Sequence, residues 1–232
     1  MPPSIITLEK SKFNFSEALV IVISQSGKSA DLIECEKKSK EFGATTMLIS
    51  NNENSPIINS ANYFFNMFAG VEKSVAATKS FVQTLLILKK LVFLCQGKHK
   101  INDSIKLLSD SLLKDANNQW SIDLVDNSIN SGFILGRGVG FALSNEMSLK
   151  FKELCQEMIE PFSSAEVMHG PKSLIQDTFK IFTLSMNDKS GLTVQNDSNE
   201  ITKYTKLIYN ISSNENQSKN FYFPSNKITE FD

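Results

Sequence analysis

The chain has 232 residues, with 24 Lys plus Arg against 25 Asp plus Glu and a formal net charge of −1. That length allows one large or two small domains with a sizeable core, and the balanced charge lacks the basic footprint that nucleic-acid partners require. Two histidines and three cysteines without a CxxC pair argue against zinc, and Cys35, Cys95 and Cys155 read as buried, reduced thiols of a cytoplasmic protein. The longest apolar stretch, Leu85 to Cys95, is interrupted by Lys89-Lys90 and is too short to span a bilayer, so no membrane partner is expected.

In chain order, Met1 to Ser16 reads as an exposed lead-in. Ala18 to Ile23 is an unbroken apolar run, the pattern of a parallel strand buried on both faces. It stops at the turn Ser24-Gln25-Ser26-Gly27, and a helical pattern starts near Ser29 and ends at Gly43. A polar loop between a buried strand and a helix N-terminus is a natural anion site. Backbone N–H groups and the positive end of the helix dipole face the ligand, and Ser24, Ser26 and Ser29 add hydroxyls. Gly27-Lys28-Ser29 is not a P-loop, because the first glycine of that motif would fall at Val22, inside the strand. An ordinary serine-capped turn remains the alternative.

Thr45 to Ile49 and Ala61 to Met67 are the next predicted strands, giving a βαβ unit with a right-handed crossover. The small-residue loop from Ala69 leads into a long helix, Thr78 to about Cys95, apolar around most of its surface and expected to be buried. Helical patterns follow around Ile105 to Leu113 and Trp120 to Val125, with His99 read as a surface residue. A second α/β unit opens with the strand Gly132 to Leu135 and the turn Gly136-Arg137-Gly138. Its helix, Phe141 to Glu157, places Glu146, Lys150 and Glu153 on one face, which suits either a catalytic carboxylate or a solvated salt-bridge face. The motif Ala165-Glu166-Val167-Met168-His169-Gly170-Pro171 follows. The remaining predicted elements are a strand at Lys180 to Leu184, a helix near Lys203 to Tyr209 and a short strand at Asn220 to Phe223.

A worn repeat links Ile21 to Ser29 with Phe182 to Ser190; the second copy keeps the strand and the outer serines but has lost Ser26 and Gly27. One phosphate site on the first copy and a scaffold in the second are therefore expected. Gly136 precedes Ser185 by 49 residues, and the same offset before Ser24 falls outside the chain. Thr78 follows Ser24 by 54 residues, and the same offset after Ser185 passes Asp232. The first copy is thus expected to lack its opening strand and helix, and the second its closing helix.

Ser24-Gln25-Ser26-Gly27-Lys28-Ser29, the Ser74 to Lys79 loop, Gly136-Arg137-Gly138, Glu146-x-x-x-Lys150-x-x-Glu153 and the Ala165 to Pro171 motif, in this order, resemble the sugar isomerase (SIS) superfamily in a double arrangement. The arrangement is similar to the isomerase half of glutamine–fructose-6-phosphate aminotransferase. The wording of the first two motifs, with no N-terminal cysteine glutaminase domain present, is closer to SIS-type glucosamine-6-phosphate deaminases. The resemblance implies an α/β fold of two flavodoxin-like, three-layer α/β/α units with parallel sheets, each incomplete. Residues 1–97 would be the first unit, 98–127 a helical linker and 128–232 the second.

It also implies that Ser24, Gln25, Ser26 and Ser29 hold a sugar phosphate while Val75 and Ala76 line the sugar pocket through backbone groups. Glu153 would move a proton between C1 and C2, and His169, contributed by a neighbouring subunit of a homodimer, would assist ring opening. Glu146 and Lys150 would orient Glu153, and Glu166 would brace its loop. A capping role for His169 is the alternative. The implied reaction converts glucosamine 6-phosphate to fructose 6-phosphate and ammonia without metal or organic cofactor. A synthase-like isomerase domain, a sugar-phosphate sensor and a fragment without activity of its own are the competing readings.

Overall fold

A computed structural model describes residues 2–8, 12–98, 131–213 and 221–222. His99 and most of the expected helical linker lie outside them. The chain forms two compact units, residues 1–99 and 100–232.

The first unit opens with a short helix α1 (Pro3–Thr7), where Pro3 sits at the first helical position that tolerates it. Strand β1 (Leu19–Ser24), helix α2 (Ala30–Glu41), β2 (Thr45–Ser50), β3 (Tyr63–Asn66) and α3 (Lys79–Cys95) follow. The three strands pair in parallel in the order β1-β2-β3. Side chains alternate across the sheet with period two. Val22 and Leu48 pack toward Leu32 and Ile33 of α2, whereas Ile21 and Ile49 pack toward Ile87 and Leu88 of α3. Helix α2 is also tied to the sheet by a buried carboxylate. Glu36 Oε1 accepts from the Thr46 hydroxyl at 2.8 Å, and Oε2 accepts from the Ser60 hydroxyl at 2.6 Å.

Three sequence expectations fail here for physical reasons. The lead-in is not wholly exposed, because Ile6 of α1 is buried and Lys38 of α2 donates to the Thr7 carbonyl at 2.7 Å. Strand β1 is not buried on both faces: it has β2 as its one neighbour among the described residues, and Leu19 and Ile23 are exposed. Helix α3 is apolar nearly all round yet packs along one side, leaving Val82, Leu85, Val92 and Leu94 exposed. Between it and the sheet a cavity of about 180 Å³ is lined by Met47, Phe65, Ile87, Lys90, Leu91 and Leu94.

The second unit comprises β4 (Gly132–Gly136), α4 (Val139–Lys150), β5 (Ile159–Ser163), α5 (Ser164–His169), β6 (Lys180–Ser185), α6 (Lys189–Ile201), β7 (Ile208–Ser212) and β8 (Phe221–Tyr222). The parallel order β5-β4-β6-β7-β8 is the flavodoxin-like 2-1-3-4-5 arrangement. Leu143 and Met147 of α4 cover one face of the sheet over Ile134, Ile159, Phe182 and Leu184. Val167 of α5 and Ile201 of α6 cover the other over Phe133, Leu135 and Ile181. This is the expected three-layer α/β unit. The closing helix expected to be missing concerns residues beyond those described.

Strand β5 was hidden from sequence by Pro161, which a sheet tolerates at an edge, and β5 is an edge strand. The helix expected near Lys203 to Tyr209 is absent, since residues 202–207 turn and β7 begins at Ile208. The helix lies earlier, as α6, where Gly191, Val194, Ser198 and Ile201 form the buried stripe. Of the cysteines, only Cys35 is buried; Cys95 and Cys155 are exposed thiols. No helix among the described residues is long and apolar enough to cross a membrane.

Ile134 is fully buried at the centre of the second sheet. Ile134→Ala should therefore cost about 2–5 kcal/mol, read as a lower midpoint in chemical denaturation.

Candidate functional site

Parallel pairing brings the C-terminal ends of β1, β2 and β3 to one edge of the first sheet, where the connecting loops lie side by side. The loop after β1 is held by the loop after β2. The Asn51 amide donates to the Gln25 carbonyl at 3.2 Å, Asn52 Nδ2 to the Ser26 carbonyl at 2.7 Å and the Ser55 hydroxyl to the Gly27 carbonyl at 2.9 Å. Three successive carbonyls are thus satisfied from one side. The Ser24 hydroxyl, buried at the strand end, accepts from the Gly27 amide at 3.1 Å and so closes the turn. Gln25, Ser26 and Ser29 are exposed. Ser29 is the N-cap of α2, yet among the described residues its side chain makes no capping bond, and the first-turn carboxylate, Asp31, accepts from the Thr7 hydroxyl at 2.8 Å.

Gly27 makes this geometry possible. Its φ is +62°, and a Cβ there would lie 2.2 Å from Ser55 Oγ. The loop after β3 is joined to the same edge by Asn51, whose side chain accepts from the Ala69 amide at 2.9 Å and donates to the Gly70 carbonyl at 2.7 Å. Farther along it, Val75 is 91% exposed while Ala76 is 1% exposed. Glu72 Oε1 accepts from the Ser80 amide at 2.8 Å, the Ser80 hydroxyl at 3.0 Å and the Thr78 amide at 3.2 Å. The Ser80 amide bond is the main cause that holds the Glu72 carboxyl below its ordinary value. Asn51, Asn52, Ser55 and Glu72 were not singled out from sequence; the only signal was a polar run that reads as a generic loop.

In the second unit, Glu146, Lys150 and Glu153 come together as the spacing predicts, though on two kinds of backbone. Glu146 and Lys150 lie on α4, and Glu153 lies in a π-helical turn, Phe151–Cys155, that ends at Gln156 with φ +59°. Lys150 Nζ is 3.1 Å from Glu146 Oε1 and 2.9 Å from Glu153 Oε2, with the three side chains 22–29% exposed. Burial acts to lower the lysine pKa, but hydrogen bonds and charge from Glu153 and Glu146 together raise it above its ordinary value. His169, at the exposed end of α5, has no hydrogen bond or ion pair among the described residues. The described structure therefore groups the three charged residues and leaves His169 apart from their bonds. Glu166 is exposed on α5.

The repeated loop after β6 takes a different form. Asp188, aligned with Gly27, has φ −147° and is the N-cap of α6. Its Oδ1 accepts from the Gly191 amide at 2.8 Å and the Ser190 hydroxyl at 2.7 Å. Ser185, aligned with Ser24, keeps a buried hydroxyl with no partner. A carboxylate of the chain itself thus sits where the first loop leaves the helix start open. The two loops are no longer equivalent.

Residues 14–94 match the model of the SIS domain. The chain is also 33% identical over 205 residues to glutamine–fructose-6-phosphate aminotransferase (isomerizing) from Campylobacter jejuni, covering 82% of this chain and 34% of that protein. It spans about a third of the length of the curated relatives it matches. Among solved structures, a proposed phosphosugar isomerase from Silicibacter pomeroyi DSS-3 superposes with a TM-score of 0.83 at 28% identity, covering 97% of this chain and 68% of that one. The C-terminal domain of glucosamine-fructose-6-phosphate aminotransferase from Francisella tularensis gives 0.79 at 25% identity, covering 90% and 62%. Both sheets therefore belong to the fold of SIS phosphosugar isomerase structures.

Two outcomes test the geometry. Gly27→Ala forces a left-handed residue and a clash with Ser55, so it should cost at least about 1 kcal/mol and lower the melting temperature. For Lys150, a folded pKa raised above the unfolded one means its contribution is fully present below the ordinary lysine value. That contribution is lost as pH rises through the raised folded value. Wild-type stability should therefore fall in that alkaline window more steeply than that of Lys150→Met, measured by denaturant titration across pH.

Proposed function

We propose that the chain is a phosphosugar-binding unit for aldose–ketose isomerisation that acts on glucosamine 6-phosphate, with two SIS units in tandem. The observation that carries this reading is the open N-terminus of α2. Loop carbonyls are turned toward Asn51, Asn52 and Ser55, and Ser29 makes no capping bond; the Gly27 and Lys28 amides bond the Ser24 and Ser26 oxygens, which leaves the serine hydroxyl protons and the first amides of α2 for an anion. The names of the relatives support a sugar phosphate as that anion.

On this reading Ser24, Gln25, Ser26 and Ser29 hold the phosphate, and backbone groups at Val75 and Ala76 contact the sugar. Glu153 takes the proton from C2 of the open-chain amino sugar and returns it at C1. The resulting C2 imine is hydrolysed by water to fructose 6-phosphate and ammonia. Lys150, bonded to both carboxylates, holds Glu153 in place, and Glu146 steadies Lys150. His169, exposed and without a partner among the described residues, suits a proton donor for ring opening that serves a second copy in a homodimer. The reading places the protein in the cytoplasm, where the exposed Cys95 and Cys155 stay reduced.

The test joins binding and turnover. Glucosamine 6-phosphate at a hundred times its dissociation constant should stabilise the folded chain by about 2.7 kcal/mol, read as an upward melting shift that glucosamine does not produce. Glu153→Gln should keep that shift and lose ammonia release. Absence of the shift, or turnover unchanged in Glu153→Gln, overturns the assignment.

A further inference from the structure

The loop after β3 is closed by two side chains that the proposed chemistry does not use. Glu72 reaches forward to the first turn of α3 and takes the Thr78 and Ser80 amides together with the Ser80 hydroxyl on one oxygen. Lys79, from the first helical position, reaches back to the Val71 carbonyl at 2.6 Å. The two side chains reach in opposite directions between the same short segments, 71–72 and 78–80. They tie off the intervening stretch, residues 73–77, as a closed loop with no regular secondary structure. Within it Ala76 is turned into the protein and Val75 out of it.

We propose that Glu72 is a positioning residue for sugar recognition: its carboxylate clamps residues 73–77 so that the backbone at Val75 and Ala76 is preset for the sugar. The clamp acts on the sugar end of the ligand alone. Thr78, the N-cap of α3, makes no side-chain capping bond, and Glu72 stands in for it. The same carboxylate neutralises the N-terminus of this 17-residue helix, so phosphate gains nothing there and is directed to α2, whose N-cap Ser29 makes no capping bond and whose first-turn carboxylate, Asp31, accepts from the Thr7 hydroxyl instead. Charge matters less than the acceptor oxygen, because the three bonds all fall on Oε1. Glu72→Gln can keep them, whereas Glu72→Ala cannot.

This inference rests on the phosphosugar reading, and calorimetric titration of the full chain with two probes, inorganic phosphate and glucosamine 6-phosphate, separates the two. Wild type should bind the sugar phosphate more tightly than phosphate. Glu72→Ala should weaken glucosamine 6-phosphate about tenfold, the size of one lost charge-assisted hydrogen bond, while phosphate binding stays within about twofold. Glu72→Gln should recover most of the loss.

An equal loss for both probes in Glu72→Ala would show a general structural role and overturn the proposal, as would an unchanged ratio. If wild type binds phosphate with no preference for the sugar, the clamp is overturned while the α2 anion loop stands. If wild type binds neither probe, both readings fall.

Discussion

Amide N–H groups at the start of an α-helix have no partner within the helix, and each buried or ligand-facing start needs an acceptor from elsewhere. This protein answers that constraint differently at neighbouring helices. Helix α3 is closed by Glu72 from the preceding loop and α6 by its own N-cap, Asp188. Helix α2 receives no capping bond from Ser29. The loop before it is shaped to keep that start accessible: Gly27 adopts a conformation other residues resist, and its carbonyls are drawn off by Asn52 and Ser55. Where a carboxylate bonds the first amides, as Glu72 and Asp188 do, an external anion meets filled donors; at α2 the first-turn Asp31 accepts from the Thr7 hydroxyl and Ser29 makes no capping bond.

The two sheets support these ends with unequal coverage. The second is a full flavodoxin-like order with apolar helices on both faces, and its strands β4 and β6 are buried throughout. The first is held firmly on the α2 side, where Leu48 and Ile57 are fully buried and Glu36 anchors the helix through two hydroxyls. Its α3 side is looser, with Leu19, Ile23, Tyr63 and Phe65 exposed beside a small apolar cavity. The firm side is the one that carries the open helix start. A loop whose hydrogen-bond donors must be preset for a ligand gains from sitting on the better-packed layer.

Much of the architecture was legible because it follows from local pattern. Runs such as Val20 to Ile23 and Ile181 to Leu184 can only be strands under helices, and the spacing of Glu146, Lys150 and Glu153 was enough to bring them to one cation. What escaped notice lacked a local signal. Strand β5 contains Pro161 and is allowed only because it lies at an edge, and α6 buries Gly191 and Ser198 beside Val194 and Ile201, so few of its buried residues are strongly apolar. The expected burial of α3 failed in the opposite way. Its composition says how apolar it is, but not how much partner surface is there to cover it.

By itself the sequence determined the α/β class, the position of the serine-rich loop ahead of α2 and the grouping of three charges beside α4. These depend on residue type and on periods of two and 3.6, which the chain carries wherever it folds. Only the tertiary structure decided which helix starts are open. Glu72 reaches across six and eight residues to Thr78 and Ser80, and Ser55 meets Gly27 across 28 residues. Asp188 looks in sequence like one more polar residue of a degenerate repeat. Whether a carboxylate fills a helix start depends on where the backbone carries it, and that is set by the parallel pairing of strands far apart in the chain.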